Sequence, residues 1–548
     1  MLHVGTPSIF INFAGRPIAQ GHQSSFSTRR AADAMRLQAT WLPLAALITN
    51  TAANDKIEAV REVFKRTWDG YREYAWGHDS LRPATNGSFD DSYRNGWGAS
   101  AVDALSTAII MGETEAVGHI LKFIPTIDFG TTSTEVSLFE TTIRYIGGLL
   151  SGYDLLRGPY KDMAPSKEAV DNLLEQAIRV ADLIKVAFDT PSGVPDNDLI
   201  FDPEPRRKGT PDNWVATVGS LVLEWERLSD LTGNREYGEL AKRAQAYLLD
   251  PQPPELEPFP GLVGSRVWVD NGTFVDAMGG WNGGTDSFYE YLIKTYIYDP
   301  VRFESYKDRW VLAVESSMKH LASHPTTRPD LTFLSMYLGE TLFFYSGHLA
   351  CFQGGNFILG GLVLDEPRYV NFGLELTAGC RESYIQTTTG IGPELFTWQD
   401  NATAPDAPNN SPPPEEYADF YEKAGFWIVS PQYSLRPEVI ESYYYAYRAT
   451  GDEMYRKWAW DAFVKINNTC SVGSGVSSIA DVQLTVGAPV FYDFQESFWF
   501  SEVLKYIYLI LEDDSDVQVK RDGGDLFVYN TEAHPIRVFE GTGKRRRR

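Results

Sequence analysis

A predominantly α-helical chain whose helix pairs close into an α/α toroid is what these 548 residues predict, on three observations. Helical periodicity dominates from about Leu47 onward; Ile57, Val60, Val63, Phe64, Trp68 and Tyr71 fall on one apolar stripe at i, i+3, i+4, i+7 spacing. Two further apolar helices, Leu221 to Leu231 and Ile440 to Ala449, stop at a glycine able to take the left-handed cap, in Thr232-Gly233-Asn234 and Thr450-Gly451-Asp452. After each glycine comes a residue that can N-cap the next helix, and a tyrosine three positions later, Tyr237 and Tyr455. Met111-Gly112-Glu113 is a shorter copy. Helix, glycine turn and helix recurring at roughly fifty residues or more imply stacked or closed pairs, because no pair buries its apolar face alone.

Gly-rich or Pro-rich connections separate the helices, at Pro251 to Pro260, Gly279 to Gly284 and Asn401 to Pro414, the last reading as a surface excursion. Strand signals at Leu262 to Val269 and Leu526 to Tyr529 predict hairpins that plug one end of the barrel. No composition shift marks a domain boundary. The expectation is an irregular arm over 1–40, one catalytic domain over 41–540 and a basic tail over 541–548.

Apolar residues at 43% and charged residues at 22% suit a globule with a large core, and exclude disorder and collagen. A net charge of −24 repels phosphate backbones and anionic headgroups, which argues against nucleic acid and membrane surfaces as partners. Fourteen Trp and 29 Tyr offer flat apolar faces with polar edges suited to sugar rings. Cys351, Cys380 and Cys470 form no C-x-x-C pair, and their odd number permits one bridge and one free thiol in an oxidising compartment. Sequons at Asn86, Asn271, Asn401, Asn409 and Asn467 exceed the roughly three expected by chance and lean toward secretion. No apolar run reaches the ~18 residues of a membrane span, and MLHVGTPSIFINF lacks the regions of a signal peptide.

The informative anomaly is acidic. Glu140 interrupts SLFETTIRYIGGLL, with Arg144 one turn on; Asp286 and Glu290 repeat that spacing in TDSFYEYLI. Glu394 sits in GIGPELF, Glu438 and Glu441 in LRPEVIES, Glu496 and Glu502 in QESFWFSEVLKY. Singly, each reads equally as a structural ion pair or a cap. Together they imply a carboxylate-lined cavity, since burying unpaired charge costs several kcal/mol each unless a cation, ligand or shared proton offsets it. Two carboxyls flanking a glycosidic bond supply the acid and base of hydrolysis, and others hold hydroxyls or a hard cation.

On these residues the chain resembles class I α-mannosidases, the calcium-dependent inverting α-1,2-mannosidases of glycoside hydrolase family 47. The resemblance runs from RTWDGYREYAWGHDSLRP through GWGASAVDAL, LFETTIRYIGGLLSGYDL, TDSFYEYLIK, HLACFQGG, GPE and SLRPEVIESYYYAYRATGD to SFWFSEVLKYIYLI and TEAHP, roughly nine-tenths of the chain. It implies an all-α (α/α)7 barrel of helical hairpins, one end plugged by a small β-hairpin. It makes Glu140 the general acid, directly or through a water, and Glu438 the base, with Asp286 and Glu394 completing the catalytic set. Arg144, His348, Arg436, Glu441, Phe498 and Glu502 are the implied substrate-binding residues. Thr531 in the TEAHP block is the implied Ca²⁺ ligand, by hydroxyl and carbonyl, while carboxylates hold the metal's waters. The same resemblance pairs Cys351 with Cys380, leaves Cys470 free, and implies a high-mannose N-glycan or α-1,2-mannooligosaccharide as substrate, met in the Golgi lumen or after secretion.

Two departures stand out. Where the family carries a second acid, this chain has Ser106 in DALSTAIIMG, which alters a local cap and not catalysis. Two residues before Asp286, members of the endoplasmic reticulum carry Arg and this chain has Gly284, a wider cleft with fewer fixed donors. That favours the Golgi-like or secreted fungal-like branch, which trims several mannoses. The alternative reading is a mannose-binding quality-control protein of the same family with little hydrolysis.

Overall fold

The computed structural model describes residues 53–91, 94–485 and 487–541. Contacts divide the chain into Met1–Asn54 and Asp55–Arg548. The expected arm over 1–40, and all but the first residue of the expected tail over 541–548, lie outside the described residues.

Among the described residues, fourteen helices alternate between two layers. The outer layer holds α1 (Ala53–Tyr74), α3 (Thr114–Phe123), α5 (Lys167–Ile184), α7 (Glu236–Leu249), α9 (Glu304–Ser316), α11 (Pro367–Ile385) and α13 (Glu453–Cys470). The inner layer holds α2 (Ala99–Met111), α4 (Gly147–Arg157), α6 (Val222–Thr232), α8 (Asp286–Tyr298), α10 (Phe352–Leu364), α12 (Glu438–Thr450) and α14 (Leu504–Leu511). Composition dictates the layer. Every residue of α2 is buried, whereas α5 buries only the stripe Val170, Leu173, Gln176, Ala177, Val180, Ala181 and Ile184. Each inner helix packs on the next and α14 returns to α2, so the ring of seven closes. This is an (α/α)7 barrel.

The expected glycine turns join three of the pairs: Gly112, Gly233 and Gly451 lie at φ 75°, 74° and 71°, the left-handed region that glycine enters without strain. Asp452 caps α13 by accepting the Met454 amide at 2.9 Å, and Tyr237 and Tyr455 are buried. Tight antiparallel pairs leave all inner helices running the same way. Their N-termini therefore gather at one end of the barrel.

A three-stranded antiparallel sheet, β1 (Tyr345–Gly347), β2 (Leu395–Thr397) and β3 (Trp427–Ser430), stands before α10 and α12. Near the C-terminus β4 (Phe527–Tyr529) and β5 (Pro535–Arg537) form the expected plug hairpin. Its base hydrogen-bonds the C-terminal end of α8, Phe539 N–H to Tyr298 O at 3.0 Å, and its tip runs inward. The other strand signal is corrected: only Arg266–Trp268 of Leu262 to Val269 is extended, and it pairs with Asp212–Trp214 instead of forming a plug. Two residues before it, at Gly264, the backbone meets Asp276 too closely for any side chain. The PDAPNNSPPP excursion lies on the surface, anchored by buried Asn410, whose amide donates to the carbonyls of Asp400 and Thr403 at 3.0 Å.

Cys351 and Cys380 form a disulfide that staples α10 to its partner α11, and Cys470 is a buried free thiol. Peptide mapping without reductant should recover that pair alone, and replacing both cysteines by serine should lower stability by about 3 kcal/mol, read from a denaturant midpoint.

Candidate active site

The parallel inner helices set the site. Asp286 and Glu438 are the first residues of α8 and α12, Glu140 lies in the short turn Leu138–Glu140 leading into α4, and Phe498 and Glu502 precede α14. Carboxylates thus collect where helix dipoles present positive ends. Ser137 opens the Glu140 turn, its hydroxyl accepting the Glu140 amide at 3.2 Å. A wide π-helical stretch, Thr141–Ile146, follows, and Arg144 in it reaches back to Glu140 at 2.9 Å. Arg144 also pairs with Glu532 and lies 3.5 Å from Asp103, with its guanidinium 5.8 Å from the Phe498 ring.

A second cluster faces α12. His348 follows β1 and Glu394 precedes β2; the His348 amide donates to the Glu394 carbonyl at 3.0 Å, so the sheet sets both. Arg436 grips the Glu394 carboxylate through Nε at 2.8 Å and Nη2 at 2.5 Å, and its Nη1 lies 3.9 Å from Glu438. His348 hydrogen-bonds Glu438 through Nδ1 and Tyr384 through Nε2, both at 2.6 Å. With Nδ1–H donating to the Glu438 carboxyl, Nε2 is left to accept the Tyr384 hydroxyl, a single tautomer. Leu435, just before Arg436, is held at φ 58°, a strained conformation of the kind that clusters at functional sites.

The hairpin tip reaches this ring from the opposite end. Asn530 donates its side-chain amide to Ile143 O at 2.9 Å and to Glu224 at 2.8 Å, while its Oδ1 accepts the amides of Glu532 and His534. Gly147 makes room for it: any Cβ there would meet the Asn530 amide at 2.5 Å. Thr531 donates its amide toward Tyr291 at 3.4 Å. Neither its hydroxyl nor its carbonyl meets a hydrogen-bond partner among the described residues. Glu532 Oε2 is buried and unpaired. Among the described residues no three His, Cys, Asp or Glu side chains converge closely enough to hold a metal by themselves.

Residues 63–538 match glycosyl hydrolase family 47. A mannosyl-oligosaccharide α-1,2-mannosidase of Penicillium citrinum is 54% identical over 88% of this chain and 92% of its own length. One of Aspergillus oryzae, form 1B, is 54% identical over 89% and 93%. The solved α-1,2-mannosidase of Trichoderma reesei superposes with a TM-score of 0.86 at 50% identity, over 89% of this chain and all of that one. The chain belongs to glycosyl hydrolase family 47.

The site residues that the sequence predicts lie at the barrel end just described or at the hairpin tip. Ser106 corrects one reading. It is no cap but lies inside α2, fully buried, its hydroxyl 3.0 Å from His534 Nδ1 and 2.8 Å from Lys505 Nζ. Sequence reasoning assigned no place in the site to Asp103, Glu224, Asn530 or Lys505. The signal existed for Glu224 and Lys505, since LVLEWERL and SEVLKYIYLI are apolar runs interrupted by charge. An open cavity of about 1820 Å³ lies at the opposite end, among Asp230, Tyr296, Arg302 and Phe539, and none of the predicted residues borders it.

The electrostatics of the ring are those of excess buried negative charge. Burial, and then Glu290 and Glu438, push Asp286 up to about 7. Glu441 rises to about 8 through burial and the same kind of repulsion, against the pull of Lys294. Burial takes Glu224 to about 8 despite hydrogen bonds from Tyr291 and Asn530, and burial with Glu532, Glu438 and Glu441 holds Glu502 well above the carboxylate range. Glu394 is the exception: burial opposes its ionisation, but Arg436 outweighs it and keeps the carboxyl below that range. The raised groups bind protons more tightly folded than unfolded, where carboxyls titrate near 4. Their contribution is full below about pH 4 and lost as pH rises through about 7 to 8. In the presence of a chelator, thermal unfolding should therefore shift to lower temperature between about pH 5 and pH 8. A melting temperature that holds level or rises across that range contradicts the assignment.

Proposed function

We propose that this chain hydrolyses terminal α-1,2-linked mannose from high-mannose N-glycans with inversion at the anomeric carbon. Whole-length similarity to fungal enzymes of that name carries the reading, and the carboxylate ring supplies its chemistry. Glu438, oriented by His348 and flanked by Arg436, is the base that takes a proton from the attacking water. Glu140 is the acid that protonates the departing oxygen, its position set by Arg144. Asp286, held near 7, keeps a proton available beside them. Glu394 serves the reaction by anchoring Arg436. The Phe498 ring offers an apolar face to the sugar, and Glu441 and Glu502 accept from its hydroxyls.

Ca²⁺ fits the hairpin tip, where Thr531 offers two unpartnered oxygens, Glu532 Oε2 is buried and unpaired, and the carboxyls outnumber the one guanidinium of Arg144 that they share. When bound, the cation supplies a hard centre for vicinal sugar hydroxyls and favours distortion toward an oxocarbenium-like ring. Gly284, at φ 98°, adds no side chain to the cleft beside Asp286, which suits removal of several mannoses. The disulfide and the fungal relatives support a place in the secretory pathway.

Glu140→Gln and Glu438→Gln should each lower kcat by at least ~10²-fold on an α-1,2-mannobiose. On α-mannosyl fluoride, whose leaving group needs no proton, Glu140→Gln should recover most of its rate and Glu438→Gln should not. Recovery by both or neither refutes the division of roles. Proton NMR in the first minutes should show β-mannose, and EDTA should abolish turnover until Ca²⁺ is restored; α-mannose as first product would replace inversion with retention.

A further inference from the structure

Thr531 sits in a turn that is costly to hold. Ala533, two residues on, adopts φ 55°, a left-handed conformation that a side chain disfavours. Its carbonyl is gripped from α14 by Lys505, whose Nζ donates to Ala533 O at 2.5 Å and to Ser106 Oγ at 2.8 Å. Lys505 is completely buried, and among the described residues no carboxylate lies within ion-pairing distance of it. A fully buried lysine whose donors are spent on a carbonyl and a hydroxyl is expensive unless it holds something in place. Ser106 in turn meets His534 Nδ1 at 3.0 Å, and His534 Nε2 reaches Asp103 at 3.2 Å. The two residues that follow Glu532 are thus tied to α14 and α2 at once, while Glu532 itself pairs with Arg144.

We propose that Lys505, Ser106 and His534 act as a clamp that holds the strained turn so that Thr531 presents its hydroxyl and carbonyl oxygens to Ca²⁺. They are positioning residues, touching neither sugar nor metal. The clamp rests on the calcium reading of the hairpin tip. Without it the turn is free to relax to the ordinary φ of an alanine, and the two oxygens of Thr531 no longer share an orientation before the cation arrives. The cost then appears in metal affinity, because ordering the turn must be done at the moment of binding.

Ca²⁺ should be titrated by calorimetry into chelator-stripped full-length protein, as wild type, Lys505→Met, Ser106→Ala and Ser106→Thr. Lys505→Met should weaken Kd by at least ~10-fold and Ser106→Ala by roughly 3-fold to 10-fold, on the scale of a lost buried hydrogen bond. Ser106→Thr, which keeps the hydroxyl, should stay within about 2-fold of wild type. Melting temperature and near-ultraviolet circular dichroism in chelator establish that each variant is folded before its Kd is read. Wild type that binds no Ca²⁺ defeats the calcium reading itself. Wild-type binding with the same Kd in Lys505→Met and Ser106→Ala overturns the clamp. If Lys505→Met does not fold, the serine pair decides: loss in Ala with recovery in Thr supports the clamp, and equal Kd in wild type, Ala and Thr overturns it.

Discussion

Arg144 is the interaction on which the rest of the site depends. Its guanidinium meets Glu140 from its own helix, Asp103 from α2 and Glu532 from the hairpin tip, so one cation joins three elements far apart in the chain. Each carboxylate alone would be too expensive to bury. Shared around a planar fork they are satisfied by one group, and moving Arg144 would deprive all three of it. The hairpin therefore does more than stop the barrel. It completes an ion network that ties Glu140, through Arg144, to the hairpin tip.

Arg436 plays the corresponding part on the other side, with a different result. It satisfies one carboxylate, Glu394, fully, and only borders a second, Glu438. Arg436 holds the Glu394 carboxyl below the usual carboxylate range, while Glu438 also meets His348. The difference between the two carboxyls thus lies in how the donors are shared, since both residues are of the same type.

The surplus negative charge that remains is tolerated in two ways. Burial favours the protonated forms of Asp286, Glu441, Glu224 and Glu502, and N-terminal helix dipoles face several of the rest. A closed ring makes this possible, since seven parallel inner helices direct seven N-termini toward one end of the barrel. The same closure leaves no free edge on the barrel and allows apolar helices such as α2 to be buried on every side.

Much of this was legible in the sequence. Periodicity and glycine stops identified the helix pairs because burial and left-handed caps are local demands that leave local traces, as at Gly233 and Gly451. Charges set in apolar runs identified Glu140, Asp286, Glu394, Glu438, Glu441 and Glu502, because a carboxylate in such surroundings has to be compensated. What the sequence could not supply was who compensates whom. The serine that replaces an acid at Ser106 reads as a change to a local cap in DALSTAIIMG, yet the residue lies in mid-helix, against Lys505 and His534, more than 390 residues away in the chain. Leu262 to Val269 reads as a plug strand, yet Gly264 and the partner Asp212–Trp214 place it elsewhere. The inventory of charges and the helical repeat were properties of the chain alone; the sharing of Arg144, the strain at Ala533 and the partition of Glu394 from Glu438 arise only when closure of the ring brings distant segments within hydrogen-bonding reach.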